Sequence, residues 1–305
     1  MIVYQELSSL ERDLGMKASI LYGVSNHIAQ HYRTVKRKKE NGDYRILHVP
    51  DEILKTIQRR IADTLLCRME VSPYAKAYVD GGSVRRNAIP HVGQDKILKL
   101  DIVHFFDSIL YSTVKDMAFP GEIYSEQNRI LLTMLCYYDQ VLPQGAPSSP
   151  AITNIIMRDF DEIVGKWCVE RNLAYTRYCD DMTFSGDFSV AEVIDFVSVE
   201  LKKKGFFLNR KKTIVADRHH SQRVTGLVVN EKLSVPVEYR RKLRQEIFFC
   251  QKYGVTSHLQ KMGCPDSEEL YTQKLLGRVN YVLSVMPDDR EMREYRSWIT
   301  GRLHR

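Results

Sequence analysis

Two strand-like runs separated by only two residues constrain the fold of this chain more than any other feature. LAYTRYC (173–179) and MTFSG (182–186) flank the pair Asp180-Asp181. This pattern predicts a β-hairpin with two carboxylates at its tip. A third apolar run, ILKLDIV (97–103), contains a single acidic residue near its end. If these strands are neighbours in one sheet, three carboxylates converge at the same end of it.

Carboxylates that converge in this way repel one another unless a cation lies between them. Asp101, Asp180 and Asp181 are therefore candidate ligands of Mg2+, which prefers carboxylate oxygens together with substrate phosphates. Two such ions about 4 Å apart would activate a 3′-hydroxyl and stabilise a leaving pyrophosphate. From these residues alone, an exposed turn that happens to contain two aspartates remains an alternative.

The rest of the hydrophobic pattern predicts an α+β core followed by a helical tail. Apolar residues are 44% of the chain and charged residues 27%, which excludes disordered and fibrous proteins. An Asn41-Gly42 pair predicts a hairpin turn. Ser189 and Glu192 form a predicted capping box, and basic amphipathic helices are expected from Val235 onward. Helices are predicted over 125–138, 150–170 and 189–205, and one strand over 223–230.

The basic residues are concentrated in the last third of the chain. The sequence has 45 lysines and arginines and 38 aspartates and glutamates, a net charge of +7. Residues 1–200 hold 23 basic and 27 acidic side chains, and residues 201–305 hold 22 and 11, so the net charges are −4 and +11. Such asymmetry is typical of a protein whose basic part binds a polyanion, although a basic domain without nucleic acid is the alternative.

The sequence also indicates a compartment. The N-terminal run MIVYQELSSLERDLG has early acidic residues and does not resemble a secretory signal. No uncharged apolar run approaches the roughly 20 residues that a membrane span needs. The six cysteines contain no CxxC pair, so neither a zinc site nor a disulfide framework is expected. We therefore expect a cytoplasmic protein that does not associate with membranes.

Four motifs occur in the order and at the spacing of the palm motifs of reverse transcriptases. They are KLDIVHFFDSI, LPQGAPSSPAITN, YTRYCDDMTFSG and GFFLNRKKTIV. Two further elements, NAIPH (87–91) and VTG (224–226), resemble signature elements of bacterial retron reverse transcriptases. The resemblance covers roughly residues 30–300. It implies an α+β right-hand polymerase with fingers, a palm built on an antiparallel sheet, and a helical thumb.

The resemblance also implies domain boundaries. The N-terminal region and fingers would occupy residues 1–96 and the palm residues 97–232. A helical fingers insertion would lie near 113–141 and a basic helical thumb over 233–305. No RNase H module would follow the thumb.

In the resemblance, the carboxylates take the catalytic roles. Asp101 matches the first metal-binding aspartate, and Asp180 and Asp181 match the pair of the YxDD motif. The carbonyl of Ile102 would face the second ion. Two Mg2+ ions are implied as cofactors, for which Mn2+ can substitute, and loss of any of the three carboxylates should abolish polymerisation.

Four further residues match positions that bind the incoming nucleotide. Arg45 lies where a fingers arginine reaches the triphosphate, and Lys38 is a second candidate in a run of five cations. Phe106 matches the steric gate that excludes a ribose 2′-hydroxyl, whereas Phe105 beside it is expected in the core. Gln144 matches the residue that lies against the nucleotide.

The retron-like elements match regions that contact RNA or primer. Asn87 and His91 would contact the RNA or hold the palm–fingers junction together, and both alternatives stay open. Val224, Thr225 and Gly226 fall where a primer-grip or template contact is expected.

Basic residues of the thumb and palm are the remaining candidates. Four lie on a predicted thumb helix and would bind backbone phosphates without reading sequence: Arg240, Arg241, Lys242 and Arg244. An exposed basic face is the alternative. Lys211 and Lys212 could act near the leaving group, but a solvated position is the interpretation that the sequence favours. Cys179 stands where many retron enzymes carry alanine, and it is small and apolar enough to fit.

The resemblance implies a function. The protein would bind its own structured noncoding RNA, prime from the 2′-hydroxyl of an internal guanosine, and copy part of the RNA into single-stranded DNA. dNTPs would be substrates, a host RNase H would remove template in trans, and an accessory effector protein would act with it in anti-phage defence. Alternatives are a group II intron-like or other bacterial reverse transcriptase with a 3′-hydroxyl primer, and a ribonucleoprotein scaffold that restrains an effector.

Overall fold

The structure is a computed structural model that describes residues 3–38, 42 and 44–303. The chain divides into two compact units. The first unit contains the chain up to Gly82 together with Leu98–Val215, and the second contains Ser83–Ile97 together with the chain from Ala216 onward. Each unit has its own hydrophobic core. The predicted fingers, palm and thumb are three continuous regions and do not correspond to these two discontinuous units, so their boundaries stay a prediction.

Helices and strands occur in groups along the chain, as expected for an α+β protein. In chain order the α-helices are α1 (Leu7–Leu14), α2 (Ala18–Asn26), α3 (Glu52–Arg60), α4 (Val84–Ala88), α5 (Tyr111–Ala118), α6 (Glu126–Cys136), α7 (Ser149–Val169), α8 (Val190–Lys203), α9 (Val237–Tyr253), α10 (Val255–Met262), α11 (Glu268–Val285) and α12 (Arg290–Leu303). The strands are β1 (Tyr32–Lys38), β2 (Tyr44–Pro50), β3 (Lys96–Asp101), β4 (Ala174–Tyr178), β5 (Asp181–Gly186), β6 (Ile214–Asp217), β7 (Arg223–Val224) and β8 (Leu227–Val228).

A four-stranded sheet with the order β4-β5-β3-β6 positions the carboxylates. The predicted hairpin is confirmed: β4 and β5 are antiparallel, from the pair Ala174↔Ser185 to the pair Tyr178↔Asp181 next to the turn. The predicted strand around Asp101 is also confirmed and lies beside β5. Both β3 and β5 are largely buried.

A second hairpin, β1–β2, comes before the sheet in the chain. Its strands pair from Tyr32↔Pro50 to Lys38↔Tyr44, so the hairpin predicted from the sequence is confirmed. The outer ends of both strands are exposed. Asn41, on which the turn prediction depended, and Lys39 of the basic run lie outside the described residues.

Two local predictions were wrong. Ser189 precedes α8 but makes no side-chain capping hydrogen bond, so the expected capping box does not form. The single strand expected over 223–230 is instead a tight hairpin of β7 and β8. Thr225 and Gly226 have φ angles of +45° and +83°, which extended strand residues do not adopt, and so the chain reverses between them.

The predicted helical tail is confirmed as α9–α12, which supply most of the core of the second unit. Its apolar contacts come from the inward faces of the helices, as in Leu243 and Ile247 of α9 and Val279 and Val282 of α11. Among the described residues, no helix combines the length and the apolar character that a membrane span requires.

A glycine near the C-terminal end of α7 permits close packing in the first unit. A Cβ atom at Gly165 would overlap the ring of Tyr74, although alanine is normally the better helix residue. We therefore expect Gly165→Ala to lower the free energy of unfolding by about 1–3 kcal/mol through overpacking. Gly23, exposed in α2 with nothing within 4 Å of its Cβ position, is the matched control. Gly23→Ala should stabilise by about 0.5–1 kcal/mol. Urea unfolding measures the free energy of unfolding of both variants. An equal change in the two variants would contradict the explanation by close packing.

Candidate active site

The turn between β4 and β5 carries the candidate carboxylates. It consists of Cys179 and Asp180, and Asp181 is the first residue of β5. The backbone N–H of Ile102 donates to the carbonyl oxygen of Asp180 at 3.3 Å. Because Ile102 directly follows Asp101, this bond joins the end of β3 to the turn. The predicted convergence of the three carboxylates is thus present in the backbone.

Asp101 is held by two side chains of the segment that follows α8. Asn209 Nδ2 donates to its Oδ1 at 3.2 Å, and Lys212 Nζ donates to its Oδ2 at 2.7 Å. Asp101 itself is only 5% exposed. Lys212 is exposed, as the favoured interpretation predicted, but its ammonium group also pairs with Asp101 because it is attracted to the carboxylates at the end of β3.

The electrostatics of the site follow from burial and like charge. Burial raises the pKa of Asp181, and the neighbouring charges of Asp180 and Asp101 raise it further. Partial burial alone would lower the pKa of Lys212, but its hydrogen bond to Asp101 and the charges of all three carboxylates raise it. The charges of Lys99 and Lys212 lower the pKa of Asp181 only in part, so the negative charge of the three carboxylates prevails.

This imbalance suits a hard divalent cation. The carboxylates of Asp101, Asp180 and Asp181 and the carbonyl of Ile102 are the oxygen ligands that Mg2+ prefers. Within residues 3–38, 42 and 44–303, however, no three acidic, histidine or cysteine side chains already form a metal cage. The structure therefore places the donors at one end of the sheet without arranging them around an ion.

A buried ion pair behind the turn was missed from the sequence. Arg177 of β4 and Asp161 of α7 are both fully buried, and their side chains are 2.7 Å apart. Sequence patterns did contain a signal, since Arg177 occupies an inward position in a strand of otherwise apolar and small polar residues. A charged residue at such a position is rarely buried without a partner.

The candidate nucleotide-binding residues lie on three segments of the first unit. Phe105 is buried, as expected, and Phe106 beside it is half-buried. Gln144 lies half-buried in the turn before α7. Arg45 and Lys38 are exposed on β2 and β1.

Gly145 joins two of these segments. A Cβ atom at Gly145 would lie 2.5 Å from the carbonyl oxygen of His48 on β2. The close approach requires glycine, and it brings the Gln144 turn against the hairpin that carries Arg45. The structure does not show a direct contact between Gln144 and Arg45.

The two retron-like elements meet in the second unit. Asn87 Nδ2 donates to Thr225 Oγ1 at 3.4 Å, and that hydroxyl donates to the carbonyl of Val84 at 3.2 Å. Asn87 and His91 are 1% and 0% exposed, and burial lowers the pKa of His91 to about 3. Val224 is also buried, whereas Gly226 is exposed at the tip of the β7–β8 hairpin. The element around Asn87 therefore supports the hairpin that presents Gly226.

The four candidate cations of α9 divide into two pairs. Arg244 Nε donates to Glu291 at 2.5 Å, and Arg240 lies 3.9 Å from Asp289, so carboxylates at and just before the start of α12 already engage these two. Arg241 and Lys242 are exposed, and neither forms an ion pair within the described part of the chain. Only the second pair is available for an external phosphate without breaking an internal contact.

The sequence was compared with protein families and with known proteins, and it matches one family model and several relatives. Residues 36–229 match the family model described as reverse transcriptase (RNA-dependent DNA polymerase). The Retron Mx65 reverse transcriptase of Myxococcus xanthus is 32% identical over 308 residues, covering 92% of this chain and 69% of that protein. The Retron Ec86 reverse transcriptase of Escherichia coli is 32% identical, covering 74% of this chain and 72% of that protein. The Retron Ec83 reverse transcriptase of Escherichia coli is 34% identical, covering 72% of this chain and 76% of that protein.

Solved structures that are similar to this one include a telomerase and a viral enzyme. Telomerase from Candida albicans, solved with a fragment of telomeric RNA, has a TM-score of 0.43 and 11% identity, covering 93% of this chain and 67% of its own. The foamy viral protease–reverse transcriptase, solved with double-stranded DNA, has a TM-score of 0.46 and 14% identity, with coverages of 94% and 48%.

The raised pKa of Asp181 predicts that this residue destabilises the metal-free protein. A carboxyl group whose pKa is higher in the folded than in the unfolded state opposes folding when it is ionised. This cost is present at pH 7 and disappears as the pH falls through the raised pKa to below the ordinary value of 3.8. In chelator at pH 7, Asp181→Asn should therefore raise the melting temperature, and the gain should vanish below about pH 4.

The matched control is Asp187→Asn, which removes an exposed carboxylate six residues further along. It should leave the melting temperature nearly unchanged, since exposed charges contribute little. Thermal unfolding followed by circular dichroism measures both variants. Equal gains in the two variants, or no gain in either, would contradict the repulsion described above.

Proposed function

This chain belongs to the retron reverse transcriptases, which are RNA-directed DNA polymerases with a right-hand α+β fold, and we propose how it acts. It copies part of a cognate structured noncoding RNA into single-stranded DNA. Synthesis starts from the 2′-hydroxyl of a guanosine and leaves a branched RNA–DNA product. The observation that carries the proposal is the Ile102–Asp180 hydrogen bond, which brings Asp101 and the YCDD turn to one end of the sheet.

The chemistry depends on the three carboxylates. Asp101, Asp180 and Asp181, with the carbonyl of Ile102, would hold two Mg2+ ions, for which Mn2+ could substitute. When bound, the ions supply charge that activates the attacking hydroxyl and stabilises the leaving pyrophosphate. Lys212, already hydrogen-bonded to Asp101, orients that carboxylate and offsets part of the negative charge.

The incoming dNTP lies among four side chains of the first unit. Arg45, with its planar guanidinium group, and Lys38 bind the triphosphate. Phe106 blocks a ribose 2′-hydroxyl, and Gln144 lies against the nucleotide. The close packing of Gly145 on His48 supports this assignment, because it ties the Gln144 turn to the hairpin of Arg45.

RNA and primer contacts are assigned to the second unit. The β7–β8 hairpin with Val224, Thr225 and Gly226 contacts the template or primer strand. Asn87 and His91 are both buried, and Asn87 supports this hairpin through its hydrogen bond to Thr225. The basic helix α9 binds duplex phosphates.

The biological setting completes the proposal. Residues 1–96, 97–232 and 233–305 act as fingers, palm and thumb, with the helices near 113–141 as a fingers insertion. The protein acts in the cytoplasm with its noncoding RNA and its cDNA. A host RNase H removes template in trans, and an accessory effector protein joins the complex in anti-phage defence.

The linkage between RNA and DNA tests the priming step. We expect nucleic acid purified with the protein to contain DNA that a 2′,5′-debranching enzyme releases from RNA. Asp180→Ala should abolish that DNA, because a lost metal ligand removes most of the rate, by at least about 10³-fold. Sequencing gels before and after debranching provide the measurement. DNA that is insensitive to debranching would indicate a 3′-hydroxyl primer, as in group II intron-like enzymes, and would contradict the proposal.

Salt dependence tests the division of cations on α9. Arg241→Gln combined with Lys242→Gln should reduce the slope of log K against log salt by about 1.5–2, because two phosphate contacts are lost. Arg244→Gln should instead lower thermal stability and leave the slope nearly unchanged, since Arg244 is paired with Glu291. Filter binding of an RNA–DNA duplex at several salt concentrations measures the slopes. Equal slope changes in the two variants would show that the internal ion pair does not matter.

A further inference from the structure

A fully buried arginine lies directly behind the catalytic turn. Arg177 Nη2 donates to Asp161 Oδ2 at 2.7 Å and to Asn154 Oδ1 at 3.2 Å. Arg177 Nε donates to both oxygens of Asp161, and Tyr175 donates its hydroxyl to Asp161 Oδ1 at 2.8 Å. The remaining contact leaves this cluster: Arg177 Nη1 donates to the backbone carbonyl of Cys179 at 2.9 Å.

Stability alone does not account for this arrangement. A buried ion pair contributes little to stability, because the cost of removing two charges from water offsets their attraction. Well-packed apolar residues would fill the same space at least as favourably. What only an arginine provides is a rigid fork with five donors, which can reach Asp161, Asn154 and Cys179 at the same time.

Cys179 is the residue that needs this contact. Its φ angle is +61°, in the left-handed region that residues other than glycine, asparagine and aspartate seldom adopt. Its carbonyl belongs to the peptide group that leads into Asp180. On the other side of Asp180, the carbonyl oxygen accepts from Ile102 N–H. The peptide groups before and after Asp180 are therefore each fixed by one hydrogen bond.

We propose that Arg177 is a positioning residue, which holds Cys179 in the left-handed conformation and so fixes where Asp180 and Asp181 present their carboxylates. Asp161 and Asn154 of α7 anchor the guanidinium group from behind. The inference rests on the proposed function in one respect, namely that these carboxylates bind divalent metal. It assigns no contact between Arg177 and the metal or the substrate.

The first test replaces the fork but keeps the charge. In Arg177→Lys, the ammonium group can still neutralise Asp161, but it cannot also reach the Cys179 carbonyl in the same geometry. We expect the variant to remain folded by circular dichroism. Its dissociation constant for Mn2+, measured by electron paramagnetic resonance on the full-length protein, should rise about tenfold, and kcat for DNA synthesis should fall about 10- to 100-fold, the effect of a small misplacement of catalytic groups.

A second pair of variants separates positioning from ordinary core packing. Glycine adopts φ near +60° without strain, whereas alanine does not. Arg177→Lys with Cys179→Gly should therefore recover most of the lost Mn2+ affinity. Arg177→Lys with Cys179→Ala, which removes the same thiol but keeps the Cβ atom, should recover none of it. Recovery in neither or in both would mean that Arg177 acts only as a core residue, and the proposal would be wrong.

A third variant covers the case in which Arg177→Lys fails to fold. Arg177→Met with Asp161→Asn removes both buried charges together, so no uncompensated charge remains. It should fold, bind Mn2+ about tenfold more weakly than wild type, and regain affinity with Cys179→Gly. Unchanged Mn2+ affinity in this variant overturns the proposal. If instead the wild-type protein binds Mn2+ but makes no DNA on an RNA template, the proposed function fails while the positioning role of Arg177 stands.

Discussion

The convergence of three carboxylates at one end of a sheet is the constraint on which the first unit depends. Pairing of β3 beside β5 fixes the backbone, so Asp101 cannot move away from Asp180 and Asp181 without loss of sheet hydrogen bonds. Asn209 and Lys212 hydrogen-bond to Asp101, whereas the charges of Lys99 and Lys212 do not outweigh the burial and the acidic neighbours that raise the pKa of Asp181. Destabilisation of this kind is expected where the fold serves binding rather than stability.

Contacts around this end of the sheet show how distant segments are held in register. Gly145 has no side chain because the carbonyl of His48 occupies the space where one would lie. Arg177 of β4 donates hydrogen bonds both to Asp161 of α7 and to the carbonyl of Cys179 in the turn that follows β4. Each residue connects separate elements, and each role depends on one residue type: glycine for its missing Cβ, arginine for its number of donors.

The sequence predicted those parts of the fold that local patterns control. Two strand-like runs on either side of Asp180-Asp181 predicted the β4–β5 hairpin, an apolar run predicted β3, and their expected pairing predicted which aspartates would meet. Contacts between distant segments were not predictable in the same way. The pairing of Lys212 with Asp101 spans 111 positions, and no periodicity in the sequence records it. The break between β7 and β8 was missed because Gly226, a turn signal inside an otherwise strand-like run, was interpreted as permitting close backbone approach, whereas Thr225 and Gly226 both have positive φ angles.

Each unit is built from two separate stretches of the chain, and this affects the order in which the units can fold during synthesis. The first unit is complete once Val215 has been synthesised, whereas Ser83–Ile97 belongs to a second unit whose other part begins only at Ala216. At about 5–20 residues per second, the segment with Asn87 and His91 waits on the order of ten seconds for the strands and helices that bury it. During translation, most of the first unit is therefore made before the segment around Asn87 gains its partners, so this segment has to stay outside the first core until the C-terminal helices have been synthesised.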